Sequence, residues 1–193
     1  MDLEGEEAEE IRALMTELNR RQTKPGASAP SAVKRGEVFP SEAALVLTSA
    51  GPGVMRWGFS RPGGAGLVVN ARIETAEERP MFRAAARCLV PAGHYFEWAH
   101  RGGEKIKYRI GVKNRPLYMA GLFRMGNGAP VFAIQTQAPA PQIAFIHDRM
   151  PLILPQGARD AWLSGEPAEK ARKAAILDVY FEREDGQTNL FPD

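Results

Sequence analysis

The chain has 193 residues, a mass of 21.2 kDa and a formal net charge of +2, with 44% apolar and 25% charged residues. A chain of this length buries a sizeable core without metal or disulfide staples, and no run nears the roughly 18 apolar residues of a membrane-spanning helix, so a mini-protein and a helical membrane protein are excluded. The one cysteine, Cys88, forms no internal disulfide and no thiolate-only zinc site, and the acidic start M-D-L-E-G-E-E-A-E-E lacks the basic flank and apolar core of a secretory leader, so a cytoplasmic location is expected.

From Glu6 to Arg21, Ile11, Leu14, Met15 and Leu18 recur at i, i+3, i+4 and i+7, one stripe of a helix. Residues 1–21 hold seven acids and three arginines, so a net −4 there leaves +6 on the rest of the chain, a surplus compatible with a polyanionic partner. The stretch T-K-P-G-A-S-A-P-S-A reads as a linker, and residues 22–36 are expected to form a mobile loop. Short runs bounded by Gly, Pro or Ser follow at Val38–Phe39, Ala44–Thr48, Val54–Phe59 and Leu67–Arg72 and read as strands. Glu74–Ala86 has helical composition but carries Pro80, which predicts a two-piece helix. Cys88–Val90 and Tyr95–Ala99 lead through an R-G-G-E turn to Ile106–Val112, and Leu117–Arg124 returns through G-N-G to Val131–Gln137, which makes two hairpins. A short helix near Gln142–Ile146, a strand at Leu152–Leu154, and helices at Ala158–Ser164 and Ala168–Phe181 complete the chain. Many short strands without regular strand–helix alternation predict a single α+β domain spanning 1–193, built on a curved, barrel-like, mainly antiparallel sheet with inserted and peripheral helices. There is no G-x-x-x-x-G-K-[ST] and no dinucleotide fingerprint, so no nucleotide cofactor is expected.

Polar residues that interrupt apolar strands carry the functional information, because burying them costs free energy unless they are paired or used. In L-V-V-N-A-R-I-E-T, Asn70 and Arg72 lie on one side of a strand and offer an amide and a guanidinium to one ligand; a strand edge tied to its neighbours is the alternative. In C-L-V-P-A-G-H-Y-F-E-W, Glu97 sits between Phe96 and Trp98 and suits proton transfer if its side of the strand is dry, and solvent exposure would remove that role. Trp98 is a stacking surface for a base or a packing residue. In A-F-I-H-D-R-M-P-L-I-L, His147 and Arg149 can hold a phosphodiester beside a proton shuttle, against a purely structural histidine. His94 and His100 lack metal-ligand spacing, so no metal is expected.

Five blocks together resemble the SOS-response-associated peptidase (SRAP) family, whose members shield abasic sites in single-stranded DNA by crosslinking to them. They are M-R-W-G-F at Met55–Phe59, N-A-R-I-E-T at Asn70–Thr75, P-M-F-R at Pro80–Arg83, R-C-L-V-P-A-G-H-Y-F-E-W at Arg87–Trp98 and I-H-D-R-M-P-L-I-L at Ile146–Leu154. The resemblance implies a β-rich domain with a positively charged groove, in which Asn70 holds the amino-terminal nucleophile and Glu97 and His147 move protons. Arg72 and Arg149 would bind phosphates, and Trp57 and Trp98 would contact or shape the DNA path. It implies a cofactor-free monomer whose partner is single-stranded DNA with abasic sites, away from any membrane, and an autoproteolytic or lyase-type activity.

Family members begin Met-Cys-Gly-Arg, and the exposed cysteine closes a thiazolidine on the abasic-site aldehyde with its amine and thiol; this chain begins Met1-Asp2. An amine alone gives an imine that water reverses, whereas a neighbouring thiolate traps it. The sequence therefore leaves two expectations: a native start upstream that supplies the cysteine, or a non-covalent sensor of single-stranded or gapped DNA. Met1 alone, with an amine pKa of about 7.7 to 8.0, could form a transient Schiff base. Cys88 lies in an apolar strand and is expected to pack rather than replace the missing thiol.

Overall fold

The computed structural model describes residues 6–22 and 36–184 of the chain. The elements run α1 (Glu6–Gln22), β1 (Ala43–Thr48), β2 (Gly51–Trp57), β3 (Phe59–Ser60), β4 (Leu67–Val68), β5 (Asn70–Arg72), a 3-10 turn at Ala76–Glu78, and α2 (Pro80–Arg83). They continue with β6 (Ala86–Ala92), β7 (Tyr95–Arg101), β8 (Glu104–Gly111), β9 (Leu117–Met125), β10 (Pro130–Gln137), a 3-10 turn at Pro141–Ile143, β11 (Met150–Pro151), α3 (Gln156–Leu163), α4 (Ala168–Ala174) and β12 (Tyr180–Arg183). The expected linker at 22–36 falls almost wholly outside the described residues.

Five strands close on themselves in the order β10-β2-β1-β6-β9, and β9 pairs β10 again. The β10–β2 contact is parallel and the other four are antiparallel, which gives a mixed barrel inside an α+β fold. β5 adds to β10 in parallel and β11 adds antiparallel, so β10 is the strand on which the site elements converge. A second sheet, β12-β8-β7, packs beside the barrel.

Period-two alternation on the barrel strands feeds two cores. Cys88, Val90, Met119, Phe132 and Ile134 join Ala99, Tyr108 and Ile110 of the second sheet in one of them. Leu89, Tyr118, Ala120, Leu122 and Ala133 face the other way, toward Phe59, Phe82 and Trp162. Trp162 of α3 is anchored by its indole N–H, which donates to the Cys88 carbonyl at 2.9 Å. Arg87 lies 4.2 Å over the same indole and donates to the Trp162 and Glu166 carbonyls, which satisfies groups left open at the end of α3.

Pro80 divides the segment after Thr75 into a 3-10 turn and a short helix, with the proline at a first-turn position that needs no N–H. Gly58, at φ +118°, separates β2 from β3; a Cβ there would meet Leu67 at 2.9 Å. Four expectations are corrected. Val38–Phe39 is a loop that runs into the β1–β2 hairpin, because the Phe39 N–H is taken by the Glu42 carboxylate. Leu67–Arg72 is two strands rather than one: the carbonyl of Val69 accepts from the Trp57 indole and from the Ile134 backbone, so the chain turns from β3 to β10 there. Leu152–Leu154 is not a strand; β11 ends at Pro151 and only Ile153 bridges, to Met119. The predicted helix to Phe181 stops at Ala174, because the Ile176 N–H is captured by the Ile153 carbonyl and the chain then extends to pair β12 with β8.

Candidate functional site

A cavity of about 1210 Å³ opens between α1, the 36–40 loop, the barrel and the second sheet. Asn70, Arg72, Glu97, His147, Arg149, Trp57 and Trp98 all line it, although they come from four separate parts of the chain. β10 is the organiser. Its Ile134 and Thr136 face the cavity, its parallel pairing with β5 sets Asn70 beside Ile134 and Arg72 beside Thr136, and its antiparallel pairing with β11 brings in the His147–Arg149 loop.

Trp57 closes one wall. Its ring stacks on Phe132 with 6.3 Å between centroids and 8° between planes, and its indole N–H donates to the Val69 carbonyl at 3.0 Å, one residue before Asn70. The indole edge thus fixes the backbone that presents the exposed Asn70 amide. On the opposite wall β7 carries Tyr95, Glu97 and Ala99 on one face and Phe96 and Trp98 on the other. Lys105 and Lys107 place their ammonium groups 4.9 and 5.8 Å from the centre of the Trp98 ring, and Lys107 sits 3.8 Å over Phe96.

Glu97 is half-buried, and burial raises its carboxyl above the ordinary value of 4.5; Asp148 pushes in the same direction, while His147 and the Trp98 backbone oppose it. The dry side of the strand, left open by the sequence, is therefore the side that Glu97 occupies. Tyr95, two residues away on the same face, has a buried hydroxyl with no hydrogen-bond partner among the described residues, and both burial and the nearby Glu97 charge raise it. His147 receives the Arg149 backbone N–H on Nδ1 at 3.0 Å. Nδ1 also lies 3.2 Å from the Arg149 carbonyl oxygen and 3.2 Å from Asp148 Oδ1, while Nε2 makes no hydrogen bond among the described residues. A carboxyl poised above its usual range and an imidazole facing one cavity form a pair able to pass a proton in either direction.

Arg149 is more committed than the sequence suggests. Its two terminal nitrogens bind the Glu74 carboxylate at 3.0 and 2.7 Å, and one also donates to the Thr136 carbonyl at 2.6 Å. A phosphate would have to compete with Glu74 for this guanidinium. Arg72 is exposed and makes no ion pair among the described residues. Sequence reasoning missed three participants: the Glu74 carboxylate, and the cavity-lining Arg12 of α1 and Arg79 before α2. The E-T pair after N-A-R was visible, but nothing in it pointed across 75 residues to Arg149. Cys88 is fully buried, and burial pushes its thiol well above the range of a nucleophile, so it packs as expected. No described helix is long and apolar enough to cross a membrane.

A profile of the family described as SOS response associated peptidase (SRAP) matches residues 6–188. The chain is 32% identical over 162 residues to the abasic site processing protein YoqW of Bacillus subtilis, covering 74% of this chain and 72% of that one. It is 34% identical to YobE of the same organism, covering 74% of each chain, and 31% identical to YedK of Escherichia coli, covering 73% and 69%; both carry the same description. A crystal structure of a protein from Bacteroides thetaiotaomicron superposes with a TM-score of 0.65 at 29% identity over 76% of this chain and 75% of that one. A protein from Bordetella bronchiseptica, at 24% identity and a TM-score of 0.68, covers 86% and 95% and shares the fold. With the barrel, the cavity and the profile match in agreement, the chain belongs to the SOS response associated peptidase family.

Proposed function

We propose that the cavity receives an abasic site in single-stranded DNA, with the ring-opened sugar aldehyde beside Asn70, Glu97 and His147. The observation that carries this reading is the convergence of those three polar residues with Trp57, Trp98 and Arg72 on one cavity. The relatives' description as abasic site processing proteins supports the same partner. A missing base leaves room that the flat faces of Trp57 and Trp98 border, and arginines along the rim meet the flanking phosphates.

In this reading an amino-terminal amine adds to the aldehyde carbon, and the carbinolamine loses one water to give an imine. Glu97 or His147 protonates the departing hydroxyl, and the other takes the proton from nitrogen. Where the native amino terminus carries a cysteine, its thiol adds across the C=N bond and closes a thiazolidine, its proton passing to nitrogen. With an amine alone the imine returns to aldehyde, and the protein acts as a non-covalent sensor of damaged or gapped DNA. The buried Cys88 supplies no thiol to this step.

The test compares three single-stranded oligonucleotides: one with a single abasic site, one with the site reduced to the alcohol, and one intact. Binding by fluorescence anisotropy is expected to favour both damaged strands over the intact one. A band that survives a denaturing gel is expected only with the aldehyde, and only where the amino terminus carries the cysteine. Equal affinity for all three strands would refute the reading.

A further inference from the structure

We propose that α1 is part of the nucleic-acid interface: Arg12 of α1 and Arg79 join Arg72 in a three-arginine wall that binds the backbone phosphates of the strand entering the cavity. This rests on the DNA-binding reading above. Two glutamates line the cavity, Glu37 and Glu97. Glu37 is taken up by Lys107, whose ammonium lies 2.9 Å from both its oxygens, and the half-buried Glu97 has a carboxyl held above its usual range. Of the four arginines on the lining, Arg149 is neutralised by Glu74. Arg12, Arg72 and Arg79 remain, all exposed and without an ion-pair partner among the described residues. The neighbouring Glu77 is turned to Arg87, at 3.3 Å.

Off the cavity, Arg109 pairs with Glu182 and Glu184 and Arg159 with Glu10, while Arg56, Arg61, Arg101 and Arg115 make no ion pair among the described residues; what sets Arg12, Arg72 and Arg79 apart is that they share one cavity lining. Uncompensated guanidiniums gathered on one concave surface are the signature of an anionic ligand that bridges them, and their planar forks suit phosphate oxygens. α1 is held firmly enough to aim Arg12. Two residues before it, Glu10 accepts from the Tyr118 hydroxyl at 2.5 Å and pairs with Arg159 at 3.2 Å, while Ile11 and Met15 place the apolar side of the helix against the cavity.

The experiment measures affinity for the abasic single-stranded oligonucleotide between 50 and 200 mM salt for the native chain and for Arg12→Gln, Arg79→Gln, Arg72→Gln and Arg115→Gln. Arg115 is exposed and lies off the cavity, so it controls for the loss of one positive charge anywhere. Each phosphate contact to a single strand adds about 0.7 to the slope of log K against log salt. Arg12→Gln and Arg79→Gln are therefore each expected to flatten that slope by about 0.7, which makes the affinity loss about 2.6-fold larger at 50 mM than at 200 mM salt. The double variant should flatten it by about 1.4, and Arg12→Lys, which keeps the charge on α1, should retain most of the slope. Slopes unchanged in Arg12→Gln and Arg79→Gln while Arg72→Gln flattens would overturn this inference and leave the DNA reading standing. Slopes unchanged in all three, matching Arg115→Gln, would overturn both.

Discussion

Replacing Arg149 by Met removes the guanidinium but keeps most of the stem, so it isolates the polar contacts that brace the His147–Arg149 loop. Two of those contacts go to Glu74, whose side chain is 39% exposed, and one to the carbonyl of the buried Thr136. An ion pair with one partner this open is screened and contributes about 0.5 to 1 kcal/mol. The Thr136 carbonyl bond, charge-assisted and shielded, contributes about 1.5 kcal/mol; that oxygen keeps its bond from the Ile73 N–H, so it is not left bare. The expected loss is about 2 kcal/mol by urea denaturation, and a double-mutant cycle with Glu74→Gln should assign about 0.5 to 1 kcal/mol to the pair. The pH dependence carries a definite sign. Arg149 holds the Glu74 carboxyl below its usual 4.5, so the pair's share is fully present above that pH and disappears as pH falls through the depressed value. The gap between native and Arg149→Met should therefore narrow in acid by the share of the pair alone. A loss under about 0.5 kcal/mol, or a gap that does not change between pH 7 and the acid limb, would refute the assignment of Arg149 as the brace of this loop.

Three further outcomes follow from the same structure. Glu97 titrates above the ordinary carboxylate range through burial, so the native fold holds its proton more tightly than the unfolded chain does and loses stability as pH rises from 4.5 through the raised value; Glu97→Gln should lack that decline in denaturation series, and parallel curves would contradict it. Cys88 should resist iodoacetamide in the folded protein and react once denatured, read by intact mass, since its thiol is buried and held protonated. Gly121→Ala should destabilise by about 1 to 3 kcal/mol, because the new Cβ meets the Cys88 sulfur at 2.9 Å and the Ala133 carbonyl at 3.1 Å across both neighbouring barrel strands; a neutral melting temperature would mean that the barrel relaxes there.

Local chemistry was legible where a segment satisfied itself. The α1 stripe, the two hairpins around R-G-G-E and G-N-G, and the break at Pro80 were all readable from spacing and turn residues. At two elements reading failed because a distant backbone group decided. Ile176 stops the predicted helix because Ile153 offers a carbonyl, and Val69 splits a strand because Trp57 and Ile134 both donate to it. Neither partner is within ten residues, so no periodicity window contains the cause. The parallel contacts of β10 with β2 and β5, which close the barrel and assemble the cavity, have no hairpin signature at all.

The same division explains the site. Asn70, Glu97 and His147 stand out as candidates in the sequence because each is a polar residue inside an apolar run, an arrangement that is costly unless the residue is used, and the fold brings all three to one cavity. Arg12 and Arg79 were illegible because an exposed arginine on a helix or in a loop is unremarkable one residue at a time. They acquire meaning only by subtraction, after Glu74, Glu37 and Glu10 have been assigned to Arg149, Lys107 and the Tyr118–Arg159 clasp. The sequence presents 25 basic and 23 acidic residues as a near balance. The fold commits some of these charges to local pairs and gathers three guanidiniums without an ion pair among the described residues on one cavity, so the charge a polyanion would meet there is set by tertiary pairing and not by the net figure.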